Sequence, residues 1–214
     1  MQITWYGHAC FLLESDAGAR IVIDPCDPTV GYALDGISAD AVTVSHAHHD
    51  HNYLPAVAGN PVVIDTAGAH SVKDVSVTGF CSWHDEAQGK KRGANLLFRF
   101  DFDGIRVLHL GDLGHALSAE TVAAIGEIDV LLCPIGGTYT IDAAQALEVD
   151  EQLRPRVFIP MHYATSATHM DIDGVDPLLR LVGERGVHRI NGSSCTITKD
   201  ALGERRILLL DYQK

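Results

Sequence analysis

The chain has 214 residues, is 46% hydrophobic and carries a formal net charge of −12. Its length fits one large domain, 1–214, with a sizeable core, and its acidity, relieved by one basic cluster at Lys90-Lys91-Arg92, disfavours general nucleic-acid binding. No apolar run approaches the ~20 residues of a membrane-spanning helix, and MQITWYGHACFLLES lacks the basic start and apolar stretch of a secretory signal.

The elements alternate short apolar strands with helices. Residues 3–7, 10–14 and 20–24 read as an opening meander, with a turn at Ser15-Asp16-Ala17-Gly18. A strand over 41–45 is followed at once by a histidine-rich run. Residues 62–65, 72–80, 95–102 and 105–110 continue the β content, and Asp103-Gly104 between the last two is a hairpin signal. A helix is expected over 118–125 with Ser118 as its N-cap, a buried strand over 130–133 and a helix over 141–153. A strand over 157–160, a helix over 176–184 with Pro177 in its first turn, and strands over 194–197 and 206–211 complete the chain. Strands in both halves with helices between them predict a layered α/β sandwich of mixed sheets. The five cysteines, Cys10, Cys26, Cys81, Cys133 and Cys195, form no CxxC pair, so they read as small buried hydrophobes in a reducing cytoplasm.

The segment VTVSHAHHDHNYL, residues 42–54, carries His46-x-His48-x-Asp50-His51. Imidazole nitrogens and carboxylate oxygens are the donors that zinc and similar ions take. At a strand end His46 and His48 share a direction, because side chains repeat every two residues. Asp50 and His51 follow as the chain turns and can address a neighbouring position. Three further donors sit at or near strand ends: His84 in SWHDE, Asp112 in HLGDLGH and His162 in IPMHY. His109 alternates away from Asp112 and is assigned to structure.

The order HxHxDH, His, Gly-Asp, His resembles the metallo-β-lactamase-fold superfamily over nearly the whole chain. The opening WYGHACFLLE, PIGGTYTID and IPMHY are similar to its branch of ascorbate-6-phosphate lactonase-like and related uncharacterised metal-dependent hydrolases. The resemblance implies a four-layer αββα sandwich and a dinuclear site. His46, His48 and His84 would hold one divalent ion, Asp50, His51 and His162 the second, and Asp112 would bridge them. Zinc suits this donor set, as do manganese and nickel. Two such ions can share a hydroxide at neutral pH, with Asp50 moving a proton.

Other residues are weighed around that set. The branch resemblance puts His8 near the site as a catalytic or substrate-contacting candidate, and His115, three residues past Asp112, as another. His49 is expected to face solvent, and His70, His169 and His188 to be structural. Asp24, Asp85 and Glu86 are candidates to orient a ligand histidine. Gly136-Gly137-Thr138-Tyr139 allows close approach of backbone to a ligand or an ordinary tight turn. Lys90-Lys91-Arg92 offers an anionic substrate group such as phosphate a partner, against the plainer reading of a solvated turn.

Departures from better-known relatives narrow the expectation. Zinc β-lactamases of the main resistance class carry cysteine where this chain has Asp112. RNA-processing members need a large insertion that the spacing from Asp112 to His162 does not allow. Flavodiiron relatives carry glutamate where this chain has His48. The expectation is therefore a metal-dependent hydrolase that cleaves an ester, lactone or phosphodiester of a small-molecule substrate through a metal-bridging hydroxide. It acts without nucleic acid or membrane, and a homo-oligomer is compatible with the branch. The alternatives are a mononuclear iron oxygenase of the same fold and a non-catalytic metal- or ligand-binding protein.

Overall fold

The computed structural model describes residues 1–183 and 186–214. The first sheet has the order β15-β1-β2-β3-β5-β7, formed by β15 (Ser194–Thr196), β1 (Gln2–Gly7), β2 (Cys10–Glu14), β3 (Arg20–Ile23), β5 (Ala41–Thr43) and β7 (Val62–Ile64). The second has the order β14-β16-β13-β12-β11-β10-β9-β8. Its strands are β14 (Val187–Arg189), β16 (Arg206–Leu209), β13 (Val157–Met161), β12 (Val130–Pro134), β11 (Ile105–His109), β10 (Ala94–Phe102), β9 (Val75–Trp83) and β8 (Gly68–Val72).

Alternation along the first sheet explains its two cores. Ile3, Trp5, Phe11, Leu13, Ile21 and Ile23 point inward and join residues of the second sheet such as Phe98, Phe100, Val107 and Leu131 in one cluster. Cys10, Leu12, Val22 and Val42 point outward and pack under segment 24–58 with Tyr32, Leu34 and Ile37. That covering layer is irregular. It holds two 3-10 turns, Pro28–Val30 and Leu54–Ala56, and the two-residue strands β4 (Ile37–Ser38) and β6 (Val57–Ala58), which pair in parallel. Pro25, Pro28 and Pro55 deny the segment a long helix.

The helices belong to the other side. α1 (Ala119–Ile125), α2 (Ala143–Leu153) and α3 (Asp176–Val182) send Ile125, Ala146, Val149 and Leu178 into the main core. Ser118 caps α1 through Thr121 N, and Asp142 and Gln145 form a capping box on α2. α3 stops at Gly183, and Glu184 of the expected helix lies outside the described residues. Among the described residues no helix is long and apolar enough to cross a membrane.

Two local expectations are corrected. The strand expected over 72–80 is a hairpin: β8 and β9 meet at Lys73-Asp74, where Lys73 has φ +52°. A turn of this kind favours Gly, Asn or Asp, and Lys73 hid it. β14 was not anticipated, nor were β4 and β6. By contrast Asp103 (φ +50°) and Gly104 (φ +75°) make the tight β10–β11 hairpin that their identities predict.

Strand direction gathers the chemistry. β11, β12 and β13 run parallel, as do β3 and β5. β9 reaches the direction of β11 through two antiparallel steps, as β1 reaches that of β3. The strands leading into the site therefore end at the same rim of the sandwich.

Candidate metal centre

The donors sit just beyond those strand ends. His8 follows β1, Asp24 follows β3, His46 to His51 follow β5, His84 follows β9, Asp112 follows β11 and His162 follows β13. His8, Asp24 and His162 take φ values of +51°, +44° and +50°, and Gly111 takes +51°. Left-handed backbone is uncommon for residues with a Cβ and costs about 1–3 kcal/mol in such settings. Here it turns each chain sharply at the rim so that the side chain points across it.

Donor atoms converge in three groups, each within 4.8 Å: His8, Asp50, His51 and His162; His46, His48 and His84; and His46, His51 and Asp112. Asp112 lies at the centre. Its Oδ2 is 3.0 Å from His84 Nε2, 3.3 Å from His162 Nε2 and 3.9 Å from His46 Nε2, and its Oδ1 is 3.1 Å from His51 Nε2. Asp50 Oδ2 is 3.2 Å from His8 Nε2 and 3.7 Å from His51 Nε2. The seven residues expected as ligands are thus brought together, with His8 beside them.

The surrounding residues orient this set. Asp24 is fully buried; it accepts from Ser45 N at 2.8 Å and Ser45 Oγ at 2.5 Å, and lies 2.9 Å from His51 Nδ1. Ser45 Oγ is in turn 2.9 Å from His46 Nδ1. Because the Ser45 hydroxyl donates to Asp24, its oxygen is left to accept from His46 Nδ1–H. One carboxylate thereby directs the Nε2 lone pairs of both His46 and His51 inward. His109 and Asn95 hold the turn that carries Asp112. His109 Nδ1 accepts from Gly111 N at 3.0 Å, which leaves its Nε2–H to donate to Ala9 O at 2.9 Å. Asn95 donates to Leu110 O and accepts from Asp112 N, both at 2.9 Å.

The electrostatics call for positive charge. Burial opposes ionising Asp112, yet His162 and His51 hold its carboxyl well below the usual range. Burial likewise opposes charging His51, but Asp112 and Asp24 hold that imidazole well above its ordinary pKa. His8 and His46 are pushed down to about 3, by burial first and then by neighbouring histidines, so both are neutral at neutral pH. His46 Nε2, both ring nitrogens of His162 and Asp112 Oδ1 are buried with no hydrogen-bond partner among the described residues. His51 Nε2 and Asp112 Oδ1, though close, are not aligned as a hydrogen bond. Unpartnered buried polar atoms cost about 1–3 kcal/mol each. A divalent cation satisfies several at once, so the donor set fits one.

Other candidates fall elsewhere. His115 belongs to none of the three groups; its Nε2 accepts from Trp83 N at 3.3 Å and lies 3.1 Å from Ser82 Oγ. Asp85 accepts from the backbone N–H groups of Ala87, Gly89, Lys91 and Arg92 and so organises a turn, while Glu86 pairs with Lys91. His49 is exposed. His70 contacts Thr66 O at 3.0 Å, His169 N donates to Val30 O, and His188 lies on β14. Two contributors were not anticipated, Ser45 and Asn95. The signal for Asn95 is a polar residue inside the apolar run ANLLFRF.

Two facing mixed sheets with histidine and aspartate donors at one rim define the metallo-β-lactamase fold class. The Beta-lactamase superfamily domain matches residues 2–162. A UPF0173 metal-dependent hydrolase of Archaeoglobus fulgidus is 31% identical over 196 residues, covering 77% of this chain and 84% of the relative. That of Carboxydothermus hydrogenoformans is 30% identical over 194 residues, covering 77% and 85%. A Thermotoga maritima crystal structure, of a protein assigned to the Zn-dependent hydrolases of the metallo-beta-lactamase superfamily, superposes with a TM-score of 0.83 at 42% identity over 99% of both chains. This chain belongs to the beta-lactamase superfamily, among the UPF0173 metal-dependent hydrolases.

Proposed function

We propose that this chain hydrolyses an ester, lactone or phosphodiester bond of a small molecule with two divalent ions, zinc or manganese. The observation that carries this reading is the convergence of donor atoms around Asp112, several of them buried and unpartnered. His46, His48 and His84 would hold one ion and Asp50, His51 and His162 the other, with the two Asp112 oxygens facing both groups. When bound, such ions lower the pKa of water and polarise a scissile carbonyl or phosphoryl oxygen.

The protein's own part is positioning and proton transfer. Asp50 is the residue proposed to take the proton and return it to the leaving group. His8 Nε2 contacts its Oδ2 and, being neutral, can donate there, which fixes the rotamer of Asp50. Asp24 and Ser45 set the tautomers of His51 and His46. Burial of His8, Asp50, Asp112 and His162 keeps bulk water from competing at the inner side.

The test is elemental mass spectrometry on protein purified without chelator, paired with turnover of simple lactones and phosphodiesters before and after metal removal. Two zinc or manganese ions per chain and chelator-sensitive hydrolysis are expected. One iron per chain would direct the reading to an oxygenase, and metal without turnover to a binding protein.

A further inference from the structure

A cavity of about 450 Å³ opens beside the outer ligands, lined by both His46 and His48. Its other walls are largely small and apolar, including Ala67, Ala94 and Leu96, and its cation among the described residues is Arg92. Lys90 and Lys91 of the same basic cluster do not line it, and Lys91 is paired with Glu86 at 3.0 Å. The cluster therefore resolves into two solvated lysines and one arginine that borders the cavity.

Arg92 is held in place before any ligand arrives. Its backbone N–H donates to Asp85 Oδ2 at 2.7 Å, the shortest of four such bonds that pin turn 85–92 directly behind His84. Its Nη2 donates to Thr138 O at 2.8 Å, and its guanidinium carbon lies 5.5 Å from the centroid of the Tyr139 ring. One edge of the guanidinium is thus anchored on the 136–141 loop and one face rests on an aromatic ring. Nη1 and Nε make no hydrogen bond among the described residues. A planar fork with spare donors suits a carboxylate or a phosphate, which it binds through paired hydrogen bonds.

We propose that Arg92 determines substrate specificity, and that the hydrolysed molecule is a small organic anion. Its carboxylate or phosphate would sit on Arg92, and a short apolar stem would lie along Ala67, Ala94 and Leu96. Its scissile bond would reach His46 and His48. Asp65, exposed, also lines the cavity, so the cavity is polarised, with its positive pole at Arg92. The proposal rests on the hydrolase reading above for the position of the scissile bond, and on geometry alone for the anion.

The metal-loaded protein, its Arg92→Met and Arg92→Lys variants, and two probe pairs test it. Calorimetry with succinate and with inorganic phosphate measures anion binding, and the tighter of the two identifies the group. Hydrolysis of 4-nitrophenyl acetate and of the mono-4-nitrophenyl ester of succinate compares a neutral with an anionic substrate. In Arg92→Met, anion affinity is expected to fall by roughly tenfold to a hundredfold. The KM of the anionic ester should rise by a similar factor, a loss much larger than any on the neutral ester, and Arg92→Lys should recover part of it. Unchanged anion affinity in Arg92→Met overturns the proposal, as does an equal loss on both esters, which would mark Arg92 as a prop for the 136–141 loop. Failure of the wild-type protein to bind either anion also overturns it. If anion binding depends on Arg92 while neither ester is cleaved, the assignment of Arg92 stands and ester hydrolysis fails.

Discussion

The two halves of the donor cluster are built differently. His8, Asp50, His51 and His162 are all buried, whereas in the group of His46, His48 and His84 the middle residue is exposed and faces the cavity. The inner half is paid for in desolvation and in left-handed backbone at His8 and His162; the outer half is cheap and open. On the proposed dinuclear reading, the buried half would hold its ion firmly and the open half would be where substrate and an exchangeable ion arrive. Asp112 belongs to both, and Asp24 reaches both through His51 and Ser45.

The strongest way to break the contrast is to remove what the halves share. Asp112→Ala is expected to abolish hydrolysis, by on the order of a thousandfold, and to lower the metal content of both halves while the far-ultraviolet circular dichroism stays native. Full activity in that variant would sink the dinuclear reading. Asp24→Asn keeps the shape but weakens acceptance from His51 and Ser45. It should lower metal affinity by roughly tenfold to a hundredfold, seen as a smaller chelator concentration needed to strip the protein.

The halves can then be tested against each other. His162→Ala should cost an ion and destabilise the fold, because the residue is fully buried. His48→Ala should cost an ion with little change in the thermal midpoint. Equal midpoints would remove the distinction between an inner and an outer half.

Acid supplies a smaller probe on metal-free protein. His8 and His46 sit at about 3 in the fold against about 6.5 when unfolded. The unfolded chain therefore takes up more protons below pH 6.5, and each residue withdraws about 2 kcal/mol between pH 7 and 5. His51 is raised, so most of its contribution is already present at pH 7, is complete below 6.5, and adds little over the same interval. The net expectation is a loss of roughly 3 kcal/mol from pH 7 to 5 in urea unfolding, and no loss would contradict the buried neutral state of His8 and His46. The smallest effect expected is that of His49→Ala, which should leave metal content and activity unchanged; loss of an ion there would show that the motif is threaded one residue out of register.

Much of the donor set was legible because it is written in local spacing. HxHxDH after an alternating strand places several donors without reference to the rest of the fold. His84, Asp112 and His162 were found because each follows an apolar strand, where the chain must leave the sheet. What stayed hidden depends on neighbours distant in sequence. Asn95 matters because β10 lies against β11, which brings its amide to the Leu110–Asp112 turn. Ser45 matters because β3 runs beside β5 and delivers Asp24 to it. The reach of Arg92 to Thr138 spans 46 residues. His115, close to Asp112 in sequence, lies outside the donor cluster, with its ring against Ser82 Oγ and Trp83 N. The irregular cover over the first sheet escaped because its prolines and short strands have no period to read.

The left-handed turns at His8 and His162 set stability and chemistry against each other. Glycine would relax both turns at no steric cost, yet it would delete a donor at His162 and the partner of Asp50 at His8. The relief of each turn, about 1–3 kcal/mol, is also set against the gap left by a buried imidazole, so selection for thermal resistance should keep the ring at both rim positions rather than glycine. The same substitution at His162 would leave an imidazole-sized gap with its backbone unstrained, a place where free imidazole from solution could stand in for the missing ring.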